Sequence, residues 1–158
     1  GAGAMVNGKM LHGLMHAEMG HQMMPSLEGA DYKGLCPYHT HCLEDMATGP
    51  AIEKRWGTSA ENLPPDHPAW ALEADYLSLA MHNTVCMLSP ERIILGGGVM
   101  NQMHLFPLIR EKTLKHMGGY IQKKEILEHI DTYIVPPGLG GRAGMMGALA
   151  MAIEAAAG

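Results

Sequence analysis

Residues 36 to 44 read Cys36-Pro37-Tyr38-His39-Thr40-His41-Cys42-Leu43-Glu44, so that Cys36, His39 and Cys42 recur at two-residue gaps. A further histidine lies upstream in Glu18-Met19-Gly20-His21, where an acid also stands three residues before it. Two soft thiolates and two imidazoles form the donor set of a tetrahedral zinc ion. One such ion would tie two distant stretches together, stabilise a loop with no periodicity of its own, and draw Glu18 and Glu44 near each other. A pair of carboxylates so placed can grip the hydroxyls of a polar substrate.

The residues leave alternatives open. Cys36 and Cys42 could form a disulfide, or the histidines could be solvent-exposed without a role. The fourth ligand could be His12, His16 or His21, and His21 is preferred because the loop between it and Cys36 is long enough to fold back. His41, adjacent to Cys42, would strain a small chelate ring. Four protein ligands would close the site, making the ion structural rather than hydrolytic. Glu44 could simply favour a helix N-terminus, and Glu18 could be a solvated loop acid.

A chain of 158 residues with 47% apolar and 17% charged side chains is long and apolar enough for one globular domain. The formal charge of −5 argues against a nucleic-acid surface, which needs a basic stripe. No apolar run reaches the roughly 18 residues of a membrane helix, and the N-terminus lacks the features of a signal peptide. Three cysteines are an odd count for a disulfide framework, which favours reduced thiols and a cytoplasmic setting. Position 1 is not methionine, and Gly1-Ala2-Gly3-Ala4 reads as the interior of a glycine turn, so the natural protein is expected to continue upstream.

Asn7-Gly8 within Met5–Leu11 predicts a strand, a two-residue turn and a strand. Gly20–Met24 reads as a further strand and Pro25–Leu35 as a loop leading to the cluster. Leu43–Ala47 and Pro50–Trp56 read as short helices. Asp66 is a candidate N-cap for the longest helix, which has Pro68 in its first turn and runs to Leu88. Leu77, Met81, Thr84 and Leu88 form its apolar stripe. Arg92–Leu95 predicts a buried strand ending in Gly96-Gly97-Gly98. Leu105–His116 and Glu125–Ile130 read as helices, Thr132–Val135 as a strand, Pro136–Gly141 as a second glycine turn, and Ala143–Ala157 as a small-residue helix. This order implies a mixed α/β sheet with helices packed on it. A buried strand leading through glycines into a helix can bring backbone N–H groups close to a nucleotide, although such turns also use glycine for φ > 0 alone.

Taken together, these segments resemble the C-terminal part of ROK-family sugar kinases, most closely the zinc-containing bacterial fructokinases. The matching stretches are Gly1-Ala2-Gly3-Ala4 with Gly8 and Gly13, Glu18-Met19-Gly20-His21, Cys36-Pro37-Tyr38-His39, Cys42-Leu43-Glu44, Gly49–Glu53, Ser89–Met100, Pro136–Gly140 and Ala143-Gly144 with Gly147-Ala148. The resemblance implies a ribonuclease H-like fold of the actin and hexokinase type: a mixed sheet flanked by helices, with a zinc loop inserted at about residues 21–44. It implies zinc on His21, Cys36, His39 and Cys42, and sugar hydroxyls on Glu18, His21 and Glu44. One ring nitrogen of His21 would face the zinc and the other the sugar. Gly1, Gly3, Pro50, Gly96, Gly97, Gly98, Val99 and Met100 would lie near ATP, with Mg²⁺ on its phosphates. The substrate would be a hexose, above all fructose, and the protein a homodimer.

The family's Asp-x-Gly-Gly-Thr phosphate motif and the Asn-Asp motif carrying its general base have no counterpart here. Asp31, Asp45, Asp66, Asp75 and Asp131 all stand in other contexts. The resemblance therefore implies a chain, residues 1–158, that forms the C-terminal domain of a kinase whose N-terminal half is absent. The rival within the superfamily is a sugar-sensing transcriptional regulator with an upstream helix-turn-helix, whose zinc loop is usually richer in cysteine. A zinc-stabilised interaction module with no small ligand is a further alternative.

Overall fold

The asparagine–glycine pair turns the chain as its chemistry demands. Asn7 and Gly8 both take positive φ, 52° and 75°, the combination that matches the twist of a tight hairpin. Strand β1 (Met5–Val6) thereby pairs antiparallel with β2 (Lys9–Met10), with Val6 opposite Lys9. The computed structural model describes residues 1–27 and 32–157. Residues 28–31, within the predicted loop and including Asp31, lie outside the described residues, as does Gly158.

After the cluster the chain becomes helical. Helix α1 (Leu43–Met46) is one turn. In α2 (Gly49–Trp56), the Thr48 hydroxyl accepts the Ala51 N–H at 3.3 Å, and left-handed Gly57 ends the helix. Helix α3 (Pro68–Leu88) starts at the proline, as predicted, but its cap is His67 rather than Asp66. The His67 Nδ1 accepts the Ala69 N–H at 3.2 Å, which places the imidazole where a carboxylate was expected.

The core forms where α3 packs on α4 (Leu105–Met117). Trp70, Tyr76, Leu105 and Ile109 are buried there with the small residues Ala69, Ala74 and Ala80. The Trp70 indole N–H donates to the Pro64 carbonyl at 2.7 Å, which meets the ring's one polar need. Asp75 and Lys112 join the same two helices at 2.6 Å. Strand β3 (Ile93–Ile94) pairs in parallel with β4 (Ile134–Val135). Arg110 of α4 holds β4 in place by donating to the carbonyls of Ile134 and Asp131.

Four local expectations change. Gly20–Met24 is not a strand: Met19–His21 is a single 3₁₀ turn, and only a Met23–Cys42 bridge follows it. The predicted helix 125–130 is two one-turn helices, α5 (Lys124–Leu127) and α6 (Ile130–Tyr133), broken at Glu128–His129. Helix α6 takes the first half of the strand predicted over Thr132–Val135, because β3 offers only two residues of partner. Among the described residues the strands form two separate two-stranded pieces, β1–β2 and β3–β4. Leu77, Met81, Thr84 and Leu88 of the α3 stripe line a cleft, and within it Met81 is buried in the core with Leu77 packed against that core. The last helix, α7 (Ala143–Ala157), has no buried residue, and Met145, Leu149, Met151 and Ile153 are all more than half exposed.

Candidate metal centre and ligand cleft

The 3₁₀ turn that replaced the expected strand is what aims His21. The Glu18 carbonyl accepts the His21 N–H at 3.0 Å, and Gly20 is buried with Glu44 Oε2 3.5 Å from where a Cβ would be. The segment is then fastened to the start of α1. Leu43 N–H donates to the Gln22 carbonyl, and Met24 N–H to the His41 carbonyl. The Gln22 side chain is anchored in turn by Asn83 of α3 at 3.0 Å.

This brings four donors together. One ligand atom each from His21, Cys36, His39 and Cys42 lies within 4.8 Å of all the others. His21 Nδ1 is 3.8 Å from Cys36 Sγ and 3.7 Å from Cys42 Sγ, and His39 Nδ1 is 3.6 Å from Cys36 Sγ. A tetrahedral zinc with ordinary Zn–S and Zn–N bonds puts neighbouring S and N donors about 3.6 Å apart. The quartet therefore fits zinc in both donor chemistry and spacing. All three cysteines are free, so the Cys36–Cys42 disulfide is not formed. The other histidines point elsewhere: His41 Nδ1 meets Thr40 Oγ1, and His16 Nε2 meets the Ala2 carbonyl. Burial pushes the Cys42 thiol above its ordinary value, opposed by its hydrogen bond from the Asp45 backbone. A divalent ion at the centre would reverse that preference and hold the thiolate.

Sequence reasoning missed the residue behind the cluster. Asp45 is fully buried, and its Oδ1 accepts the Cys36 N–H at 2.7 Å. Its carboxylate lies so close over Gly34 that any Cβ there would overlap it. The acid thereby orients the backbone that carries a proposed ligand, the role outer-shell carboxylates play at metal sites. Only adjacency to Glu44 marked it in the sequence.

The second ring nitrogen of His21 faces outward. Its Nε2 is 3.8 Å from Glu44 Oε2, and the Glu44 side chain is half exposed. Glu44 opens into a cleft of about 1450 Å³. Gly1, Gly3, Pro50, Gly96, Gly97, Gly98, Val99 and Met100, the eight residues expected near a nucleotide, all line this same cleft. Glu18 and His21 are not on its lining; Glu18 is exposed at the edge of the 3₁₀ turn, and His21 meets Glu44, which does line it. At the turn, Gly97 has φ +99°, and a Cβ on Gly96 would press on Pro137 at 3.1 Å, so the two glycine turns pack against each other.

A further acid was also missed. Glu73 of α3 lies on the cleft wall, yet is 1% exposed, and neither carboxylate oxygen has a hydrogen-bond partner among the described residues. Desolvation pushes its carboxyl up to about 8, against the pull of Arg55. It is held as a neutral acid at neutral pH.

The ROK family model matches residues 1–155. The fructokinase of Pediococcus pentosaceus is 43% identical over 152 residues, covering 96% of this chain and 51% of its own length. The fructokinase of Zymomonas mobilis is 39% identical over 158 residues, covering 98% of this chain and 51% of its own. The chain thus spans about half the length of the curated relatives it matches. The ROK hexokinase of Thermus thermophilus shares the fold, with a TM-score of 0.70 at 21% identity, over 92% of this chain and 51% of that one. The chain belongs to the ROK family.

Proposed function

We propose that residues 1–158 are the C-terminal domain of a sugar kinase that transfers the γ-phosphoryl group of ATP to the 6-hydroxyl of a hexose, fructose before mannose or glucose. One observation carries this reading: the carboxylate beside the metal quartet and all eight expected nucleotide contacts line a single cleft. The fructokinase names of the relatives support the choice of reaction and sugar. They also favour a kinase over a sugar-sensing regulator.

In this reading His21, Cys36, His39 and Cys42 hold a structural zinc, which stiffens the loop and supplies no chemistry to the transfer. Glu44 and Glu18 accept hydrogen bonds from sugar hydroxyls, and His21 offers its outward Nε2. The contacts of Nδ1 with Cys36 and Cys42 support that choice of nitrogen. Gly96, Gly97, Gly98, Val99, Met100 and Pro50 receive the adenosine side of ATP, and Gly1 and Gly3 its phosphate side. Mg²⁺ arrives on the phosphates; among the described residues the metal quartet is the one grouping of three or more candidate donors. The general-base aspartate comes from the N-terminal half, so catalysis rests on positioning and charge neutralisation between two domains. The intact protein is a cytoplasmic homodimer.

The test uses the full-length protein. Glu44→Ala is expected to weaken fructose binding by about ten- to a hundredfold, the loss of one or two hydrogen bonds to a charged acceptor, with zinc content unchanged. Unchanged fructose affinity by calorimetry would remove Glu44 from the site. The isolated 158-residue chain is expected to release no ADP from ATP and fructose.

A further inference from the structure

Helix α1 is one turn long, with Cys42 capping its start and Glu44 and Asp45 in that turn. A single turn is not stable by itself, so its neighbours set its direction, and with it the aim of Glu44 on the cleft wall. The carbonyls of α1 show which neighbours act. The Ala47 N–H donates to the Leu43 carbonyl at 2.8 Å, and the Thr48 hydroxyl to the Glu44 carbonyl at 3.0 Å. The Met46 carbonyl accepts two N–H groups from Arg55 of α2, at 3.1 and 3.2 Å. That guanidinium is itself placed with care. Its Cζ lies 4.1 Å from the centre of the Tyr32 ring, whose hydroxyl donates to the Ala51 carbonyl at 3.3 Å. It lies 5.9 Å from the ring of Tyr76 on α3. Glu73 stands three residues before Tyr76, on the same face of that helix. Its carboxyl is buried with no hydrogen-bond partner among the described residues, yet the charge of Arg55 pulls on it. One guanidinium thus faces two acceptors: a carbonyl of α1, which it grips, and a buried carboxyl of α3, to which it makes no hydrogen bond.

We propose that Arg55 is a positioning residue for Glu44, holding the end of α1 so that the glutamate keeps its aim, and that the Glu73 carboxylate competes with the Met46 carbonyl for the same guanidinium. The proposal rests on the reading of Glu44 as a sugar ligand. Arg55 does not line the cleft and acts through the backbone of α1. While Glu73 keeps its proton it has no charge with which to draw the guanidinium, and both donors stay on Met46. Once ionised in so dry a place it needs a cation. Arg55 is the charge that acts on it among the described residues. The acids and bases on the packed elements are engaged elsewhere or exposed. Asp75 of α3 is paired with Lys112 of α4, and Asp45 of α1 accepts the Cys36 N–H. Glu53, Lys54 and Glu61 are exposed. Movement of Arg55 toward Glu73 would free the end of α1 and tip Glu44 away from the sugar. Fructose affinity should therefore fall as pH rises through the ionisation of Glu73, at about 8.

A double-mutant cycle in the full-length protein tests this, with fructose binding read by calorimetry and zinc content measured alongside. Arg55→Met is expected to weaken fructose binding about tenfold or more, with zinc retained. In the Glu44→Ala background the same substitution should change the affinity less than about twofold, because the group it positions is gone. Arg55→Lys keeps the charge and the stem over Tyr32 but not the two-pronged grip, and should give a smaller loss. Should the methionine variant fold poorly, the lysine variant runs the same cycle. The second readout is pH. Between pH 7 and 9 the parent should lose fructose affinity several-fold, and Glu73→Gln, which carries no titrating proton, should flatten that profile. Independent losses from Arg55→Met and Glu44→Ala would overturn the role of Arg55 while leaving Glu44 in the site. Identical pH profiles for the parent and Glu73→Gln would overturn the competition. No loss from Glu44→Ala alone would instead sink the reading of Glu44, and the proposal with it.

Discussion

The metal quartet and the cleft lie side by side but differ in how complete they are. Around the quartet most parts come from the adjoining chain: a 3₁₀ turn aims His21, α1 begins at Cys42, and a buried aspartate holds the Cys36 backbone through Oδ1, although its Oδ2 has no hydrogen-bond partner among the described residues. Across the cleft, among the described residues, β1 and β3 each have one unpaired edge and Glu73 is buried without a hydrogen-bond partner. Short-range contacts can build a site within one stretch of chain, whereas a sheet needs all of its strands. The metal centre should therefore behave as a finished unit in this chain, and the cleft as an unfinished one.

The largest effect is expected from breaking the finished unit. Cys42→Ser should abolish zinc binding and release the 21–44 segment, a loss of several kcal/mol of local stability, since metal affinity there is folding energy. Limited proteolysis should then cut within the loop while the α3–α4 core survives. Equal resistance of variant and parent would show that the loop does not depend on metal.

Next comes Glu73 on the unfinished side. Unfolded, this glutamate loses its proton near 4.5; folded, it keeps it to about pH 8. The folded state thus binds the extra proton between those values, and stability falls as pH rises from about 4.5 to 8, then levels off. Glu73→Gln should remove that fall and stabilise the chain at pH 9 by roughly a few kcal/mol. Parallel pH profiles in urea for the two proteins would contradict it.

A smaller effect is expected from Asp45→Asn. An amide can keep one contact to the Cys36 N–H but loses the charge, so zinc affinity should drop about ten- to a hundredfold in a chelator competition, with little change in the melting of the core. The smallest is Leu88→Ser. A core leucine would cost about 2–5 kcal/mol on truncation, but this one is 37% exposed on the open cleft. Its stability change in the 158-residue chain should stay within about 0.5 kcal/mol. A core-sized loss would mean the cleft is already covered.

What the sequence disclosed follows the same division. Asn7-Gly8, the Cys and His spacing, and Pro68 at the start of α3 act through neighbours a few residues away, and their consequences were readable. The 3₁₀ turn at Met19–His21 was not, because Gly20 bends to pack beneath Glu44, a contact over 24 positions of sequence. Asp45 gave no signal, since its burial depends on Gly34 and the Cys36 N–H meeting it in space.

Zinc K-edge X-ray absorption on the purified chain tests the central claim most directly. One zinc per chain, with two sulfur neighbours at about 2.3 Å and two nitrogen neighbours at about 2.0–2.1 Å, is the predicted result. A chain that takes up no zinc, or one whose zinc is ringed by oxygen without sulfur, would contradict it.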